Sequence, residues 1–277
     1  MLSTLKTILP SVLEAGEEVL KIYNNPFSVT YKQKDDPLTK ADLLANEIIS
    51  SSIQKHFPDH FLLSEEEKEK PNRQMKDFLW LLDPIDGTRE FVKKNNQFAI
   101  SLGLSLHGKI QLGIVLNPST DELFIGIIGM GLISTSFSSP NLTNWTQPLL
   151  SKTSNLKPIC IVSNTEYKEG LYDDSFWKEN YDVRPIGSIA YKLGLVSAAK
   201  ADLCISLKPK SDWDIGGGIA LVEGAGGICQ TIKGWKQFGF QEDSIEKEGI
   251  VAGRIEIVNS LLQSYGSEIE SSYRSTY

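Results

Sequence analysis

Phe78-Leu79-Trp80-Leu81-Leu82-Asp83-Pro84-Ile85-Asp86-Gly87-Thr88 is the stretch on which the reading turns. Five consecutive apolar residues predict a buried strand, and it runs directly into two aspartates around a proline. Glu65 ends the preceding apolar run, Phe61–Leu63, in the same way. Carboxylates at neighbouring strand ends repel one another strongly when left alone. A divalent cation removes that penalty, and an all-oxygen donor set selects a hard ion, Mg²⁺ or Mn²⁺, over zinc. Pro84 fixes the backbone between the aspartates, so the Ile85 carbonyl is placed to join them. Gly87-Thr88 then opens a turn or helix, and a helix N-terminus offers free N–H groups to a phosphate. The Thr88 hydroxyl, bonded to a carboxylate, is suited to orient a water. Taken singly, each residue also reads as a turn or a solvated acid; the set points to metal-assisted chemistry.

Upstream, Leu2, Leu5, Ile8, Leu9, Val12, Leu13, Val19, Leu20 and Tyr23 recur at helical spacing, with Pro10 and Gly16 expected to kink or divide the segment. A polar stretch, Lys32–Pro37, precedes a second helix from about Thr39 to Phe57, and a lysine- and glutamate-rich loop covers 67–77. Downstream, alternating apolar runs from Phe98 to Ser136 predict an antiparallel meander. The serine- and proline-rich stretch 134–157 is the expected boundary between an N-terminal α+β half, 1–150, and a C-terminal α/β half, 151–277. In the second half the pattern predicts strands at Ile159–Ser163, Ala201–Leu207, Ile228–Ile232 and Ile250–Ala252. Helices are expected at Lys168–Asn180, Ile186–Ala199, Ile215–Glu223 and Glu256–Tyr265. That order implies an α/β (α+β) protein.

Composition narrows the partners. Among 277 residues, 28 Lys+Arg against 35 Asp+Glu give a net charge of −7, with 40% hydrophobic and 23% charged residues, as in ordinary globular chains. An acidic protein is repelled by polyanions, which argues against nucleic-acid polymers and membrane surfaces but not against a small anion. Cys160, Cys204 and Cys229 are far apart, and with only His56, His60 and His107 a zinc cage is not expected. No window holds about 18 consecutive apolar residues. The expectation is a cytoplasmic monomer or homodimer, with room for a small anionic substrate held through a metal.

Asp83-Pro84-Ile85-Asp86-Gly87-Thr88 resembles the signature of the inositol monophosphatase superfamily, Mg²⁺-dependent and lithium-sensitive phosphatases. A second signature matches at Asp212-Trp213-Asp214-Ile215-Gly216-Gly217-Gly218, followed by Glu223-Gly224-Ala225-Gly226-Gly227. The resemblance implies a layered αβαβα sandwich of the inositol monophosphatase / fructose-1,6-bisphosphatase type. It implies two or three metal ions on Glu65, Asp83, the Ile85 carbonyl, Asp86 and Asp214, with Glu65 and Thr88 positioning water. Asp42 matches the family's helix aspartate, supporting a further metal and its water; its plain reading is a helix-start carboxylate. Gly87, Gly187 and Ser188 match substrate-facing positions. Gly216-Gly217 departs from the family's Ala-Ala and is expected to soften that helix start.

Arg89-Glu90-Phe91 resembles the 3′(2′),5′-bisphosphate nucleotidases more than the inositol enzymes. The glutamate that inositol enzymes carry upstream of Trp-Asp is absent; Ser206-Leu207-Lys208-Pro209-Lys210 stands there. Cations beside a metal site make sense when the substrate brings a second phosphate. Lys192, Lys208 and Lys210 are therefore candidate substrate contacts, and Lys93 and Lys94 read equally as solvated. The expected reaction is adenosine 3′,5′-bisphosphate to AMP and phosphate. Inositol monophosphatase and fructose-1,6-bisphosphatase are the alternatives, and a non-catalytic metal- or nucleotide-binding relative is the alternative of another class.

Overall fold

A computed structural model describes residues 1–33, 36–67, 77–150, 157–240 and 246–276. Most of the loop expected at 67–77, and the start of the C-terminal half at 151, lie outside them.

The strand β4 (Phe78–Asp86) shows how the layers arise. Its alternate residues face opposite ways: Trp80 and Leu82 enter one apolar cluster, Leu79 and Leu81 another. It belongs to a six-stranded sheet with β3 (Phe61–Ser64), β5 (Ala99–Leu106), β6 (Lys109–Asn117), β7 (Glu122–Ile127) and β8 (Gly131–Ser136), in order β3-β4-β5-β6-β7-β8. Only the β3–β4 pairing is parallel, so the predicted meander is present. Helices α1 (Leu2–Asn24) and α2 (Lys40–His56) bury Leu5, Ile8, Val12, Val19, Ile49 and Ile53 against the face of Trp80 and Leu82.

On the opposite face lie α6 (Ile189–Ser197) and α7 (Asp212–Gly224). Beyond them is a second sheet, order β10-β9-β11-β15-β13, made of β9 (Ile159–Val162), β10 (Asp182–Pro185), β11 (Leu203–Ser206), β13 (Ile228–Gln230) and β15 (Ile250–Gly253). Cys204 and Ala252 face α6 and α7, whereas Leu203, Ile205 and Val251 face outward. There they meet Trp177 of α5 (Ser175–Asn180) and Val258 and Leu261 of α8 (Ile255–Thr276). Three apolar clusters, one of them on both sides of α6 and α7, thus fill the four interfaces of five layers, the αβαβα sandwich expected.

Several local expectations are corrected. Helix α1 runs unbroken through Pro10 and Gly16, because nine of its residues are buried and packing outweighs the lost hydrogen bond. The described residues of the polar stretch at 32–37 belong to two strands paired antiparallel, β1 (Val29–Gln33) and β2 (Asp36–Thr39). The single helix expected at 168–180 is two, α4 (Asn164–Lys168) and α5, separated around Gly170. Helix α7 starts at Asp212 and is not softened by its glycines. They let its backbone lie on β5 and β6: a Cβ on Gly217 would stand 2.8 Å from Ser101 Oγ, and one on Gly113 2.1 Å from Gly217 O.

Candidate active site

Between β4 and the starts of α6 and α7 opens a cleft of about 490 Å³. Pro84 cannot extend the ladder, and β4 bulges against β5 between Asp83 and Asp86, which turns both aspartates toward the opening. Gly87 closes the strand at φ +93°, and a Cβ there would lie 2.9 Å from the Gln97 carbonyl, so only glycine fits before α3 (Thr88–Val92).

Of the residues singled out from sequence, Glu65, Asp83, Ile85, Asp86, Gly87, Thr88, Gly187, Ser188, Lys192, Lys210 and Asp214 all line this cleft. Asp42 stands one layer behind it, 1% exposed. Its Oδ2 accepts from the Thr39 backbone N–H (2.8 Å) and hydroxyl (2.7 Å), and its Oδ1 lies 3.1 Å from Thr88 Oγ1. Asp42 is therefore both the helix-start carboxylate of α2 and the support of Thr88, whose hydroxyl has the Ile85 carbonyl as a second acceptor at 3.0 Å. Lys208 is a correction. It is absent from the cleft lining: its ammonium pairs with Glu169 at 2.7 Å, and only its backbone N–H turns inward. Lys94 is likewise held elsewhere, on the Asn25 carbonyl beside Tyr23 and Phe27, while Lys93 lines the cleft.

The carboxylates are strained by one another. Burial, then the charges of Glu65, Asp86 and Asp214, push Asp83 well above the usual carboxylate range. Burial and the Asp86 charge push Asp214 up to about 8. Burial raises Asp86 too, against the bonds its Oδ2 accepts from Ser188 Oγ and the Ala190 N–H, both 2.6 Å. This is a donor set that a hard divalent cation would relieve, and Glu65, Asp83, Asp86, Asp214 and the Ile85 carbonyl are the groups that would hold it. Among the described residues no three such side chains form a ready-made metal cage. The reason is visible in their partners: Lys32 lies 3.0 Å from Glu65 Oε1, Ser188 and Ala190 hold Asp86, and the Ser211 N–H holds Asp214 Oδ2 at 2.9 Å.

Sequence reasoning missed three groups. Lys32, on β1, also pairs with Glu66. Gln97 Oε1 accepts from the Gly187 N–H and from Asn164, both at 2.8 Å, fixing the entry to α6. Glu166 is fully buried behind Lys192 and Lys210. Ser163-x-x-Glu166 has the spacing of a helix capping box, so the chain alone offers no sign that this carboxylate faces the site.

A layered α/β fold with a carboxylate nest at strand ends and lysines across the cleft defines a class, the phosphatases of small phosphate esters. The chain belongs to the inositol monophosphatase family, whose model matches residues 2–268. It is similar to the Nus factor SuhB of Escherichia coli (strain K12), 27% identical over 272 residues, 94% of this chain and 95% of that one. It is also similar to a fructose-1,6-bisphosphatase/inositol-1-monophosphatase of Thermotoga maritima, 28% identical over 237 residues, 84% and 86% of the two chains. Among solved structures, CysQ from Bacteroides thetaiotaomicron, a bacterial member of the family, matches with a TM-score of 0.73 at 25% identity, covering 91% of this chain and 97% of that one. Among the described residues no helix is long and apolar enough to cross a membrane.

Proposed function

We propose that this protein is a Mg²⁺-dependent 3′(2′),5′-bisphosphate nucleotidase, converting adenosine 3′,5′-bisphosphate to AMP and phosphate. The observation that carries the reading is the polarity of the cleft. Glu65, Asp83 and Asp86 on or beside β4 line it together with Asp214 of α7, and Lys192 on α6 and Lys210 at the entry to α7 line it too. A substrate with one phosphate uses one end; a bisphosphate uses both. When bound at the carboxylates, Mg²⁺ supplies neutralisation of phosphate charge and a water of lowered pKa. Thr88, held by Asp42, orients the attacking water through its hydroxyl. Glu65 is positioned to accept that water's proton once freed from Lys32. The Gly187-Ser188 entry to α6, tied to Asp86 and Gln97, orients the ester. No covalent phosphoenzyme is required.

A non-catalytic role, the other class considered, would leave metal carboxylates or Thr88 dispensable, and every one of them is in place. The test is a phosphate-release panel of adenosine 3′,5′-bisphosphate, its 3′-phosphate-5′-phosphosulfate analogue, inositol 1-phosphate and fructose 1,6-bisphosphate, with Mg²⁺ and with excess chelator. The expected result is release that depends on Mg²⁺, fastest on the adenosine bisphosphate. Preference for inositol 1-phosphate or fructose 1,6-bisphosphate moves the assignment to that alternative, and no release on any ester supports the non-catalytic reading.

A further inference from the structure

Two like charges this close inside a fold repel each other, and burial deprives both of solvent. Lys192 is 1% exposed, yet its side chain lines the cleft and makes no hydrogen bond to a described residue. Lys210 is half-buried with its open side on the same cleft, and its ammonium donates to the carbonyls of Lys208 and Pro209, both at 3.1 Å. Behind them stands Glu166, fully buried on α4. Its Oε2 accepts from the Tyr172 hydroxyl at 2.7 Å, and its Oε1 from Ser206 Oγ at 2.8 Å and the Lys208 N–H at 2.9 Å. Those three neutral donors hold the carboxylate in place, and neither lysine forms a direct ion pair with it.

The arrangement is one fixed negative charge behind two positive ones. A direct ion pair would occupy an ammonium group; a carboxylate held back by neutral donors stabilises both charges and leaves their protons facing the cleft. We propose that Glu166 is the buried counter-charge that keeps Lys192 and Lys210 protonated together, making them a preformed site for a second anionic group of the substrate. Glu166 is thus a positioning residue, acting through the lysines; its link to substrate choice rests on the bisphosphate reading above. The electrostatics of the cluster agree. Burial raises Glu166, yet the Lys192 and Lys210 charges and its hydrogen bonds bring it below the usual carboxylate range. Burial pulls Lys210 down, with Glu166 opposing and Lys192 assisting. Asp86 and Asp214 face the pair across the cleft. Behind it Tyr172, Cys160 and Cys204 are all pushed up by burial and stay neutral, so Glu166 is the carboxylate on that side.

The experiment reads the lysines directly. Side-chain resonances of Lys192 and Lys210 in the full chain, assigned with Lys192→Arg and Lys210→Arg, are titrated in wild type and in Glu166→Gln without substrate. Asp86 and Asp214 are common to both, so their contribution cancels. The glutamine keeps an oxygen for Ser206 and Lys208, and the Tyr172 hydroxyl can accept from its amide. Expected is a fall of roughly two pH units or more in the titration of at least one lysine, on the scale of buried-charge shifts. Glu166→Gln/Lys192→Met restores the charge balance and should return Lys210 toward its wild-type titration; it also serves if Glu166→Gln alone does not fold. Unchanged titration in Glu166→Gln, or no recovery in the double variant, overturns the proposal. With adenosine 3′,5′-bisphosphate, Glu166→Gln should take up a proton on binding that wild type does not, and its preference for the bisphosphate over adenosine 2′-phosphate should fall with rising pH. Lysine shifts as expected in a wild type that shows no bisphosphate preference would overturn the substrate reading and leave the charge role of Glu166 supported.

Discussion

The two ends of the cleft handle buried charge in opposite ways. At the β4 end, Asp83, Asp86 and Asp214 share like charge, and each is raised by burial and by its neighbours or held by N–H and O–H donors. At the far end two lysines share one carboxylate, and the mixture is partly self-compensated. On the proposed reading the first end receives a cation and the second an anion. A phosphate ester with a second anionic group would bridge them, its charge completing what each end lacks.

The most damaging change falls on the carboxylate end. Asp86→Asn or Asp214→Asn should lower kcat by more than about 1,000-fold, since a metal's charge stabilisation amounts to several kcal/mol and each 1.36 kcal/mol is tenfold. Near-normal turnover in either variant would put the metal elsewhere. The same residue gives a pH signature in metal-free protein. Asp214 is raised from 3.8 to about 8, so its folded form binds the proton more tightly than the unfolded chain. Stability from this group is present below 3.8 and is lost as pH rises to about 8. A thermal unfolding series should therefore slope downward over that window and flatten in Asp214→Asn; a series unchanged by the substitution would contradict the strain assigned to it.

Next in size is Thr88→Ala, expected to slow kcat by roughly 100-fold with little change in KM, on the scale of general acid–base contributions. Asp42→Asn should reproduce part of that loss, because it keeps the shape and weakens the hydroxyl's acceptor. A loss confined to KM would mean Thr88 binds substrate rather than positions water.

The smallest effects sharpen the contrast. Lys192→Met or Lys210→Met should reduce kcat/KM for adenosine 3′,5′-bisphosphate by about 10- to 100-fold, taking roughly 1.5–3 kcal/mol for a charge-assisted hydrogen bond. Inositol 1-phosphate should lose far less. Lys208→Ala, which removes only a solvent-exposed pair with Glu169, should change both substrates by less than about threefold. Equal losses at Lys192, Lys208 and Lys210 would dissolve the distinction drawn between them.

How much of this was legible in the chain differs between the two ends for a physical reason. Asp83, Ile85 and Asp86 lie in β4, Gly87 and Thr88 directly follow it, and Glu65 directly follows the neighbouring β3, so their order along the chain is close to their arrangement in space. Acids directly after apolar runs are anomalous at the level of a few residues, and that anomaly survives without coordinates. Most strands and helices were legible because strand alternation and helical spacing are local properties too, whereas the layer order came from the family resemblance. The β1–β2 pair was not legible, since each partner strand supplies what the other's polar residues do not signal.

At the lysine end, Glu166, Lys192, Ser206 and Lys210 come from four elements, α4, α6, β11 and β12 (Lys210–Ser211). In sequence Lys208 and Lys210 are equivalent, two residues apart around a proline. Only the fold sends one out to Glu169 and the other into the cleft. Glu166 reads as a capping acid until Tyr172 and Ser206 close around it. The chain by itself determined the strands, the helices and the acids that follow buried strands with their hard-ion chemistry, because each follows from short-range pattern; the sandwich and the part of Asp214 came from the resemblance of its two motifs to a known family. The tertiary structure alone decided which lysines face the cleft and which acid stands behind them, because burial and charge pairing across elements depend on distances that sequence order does not contain.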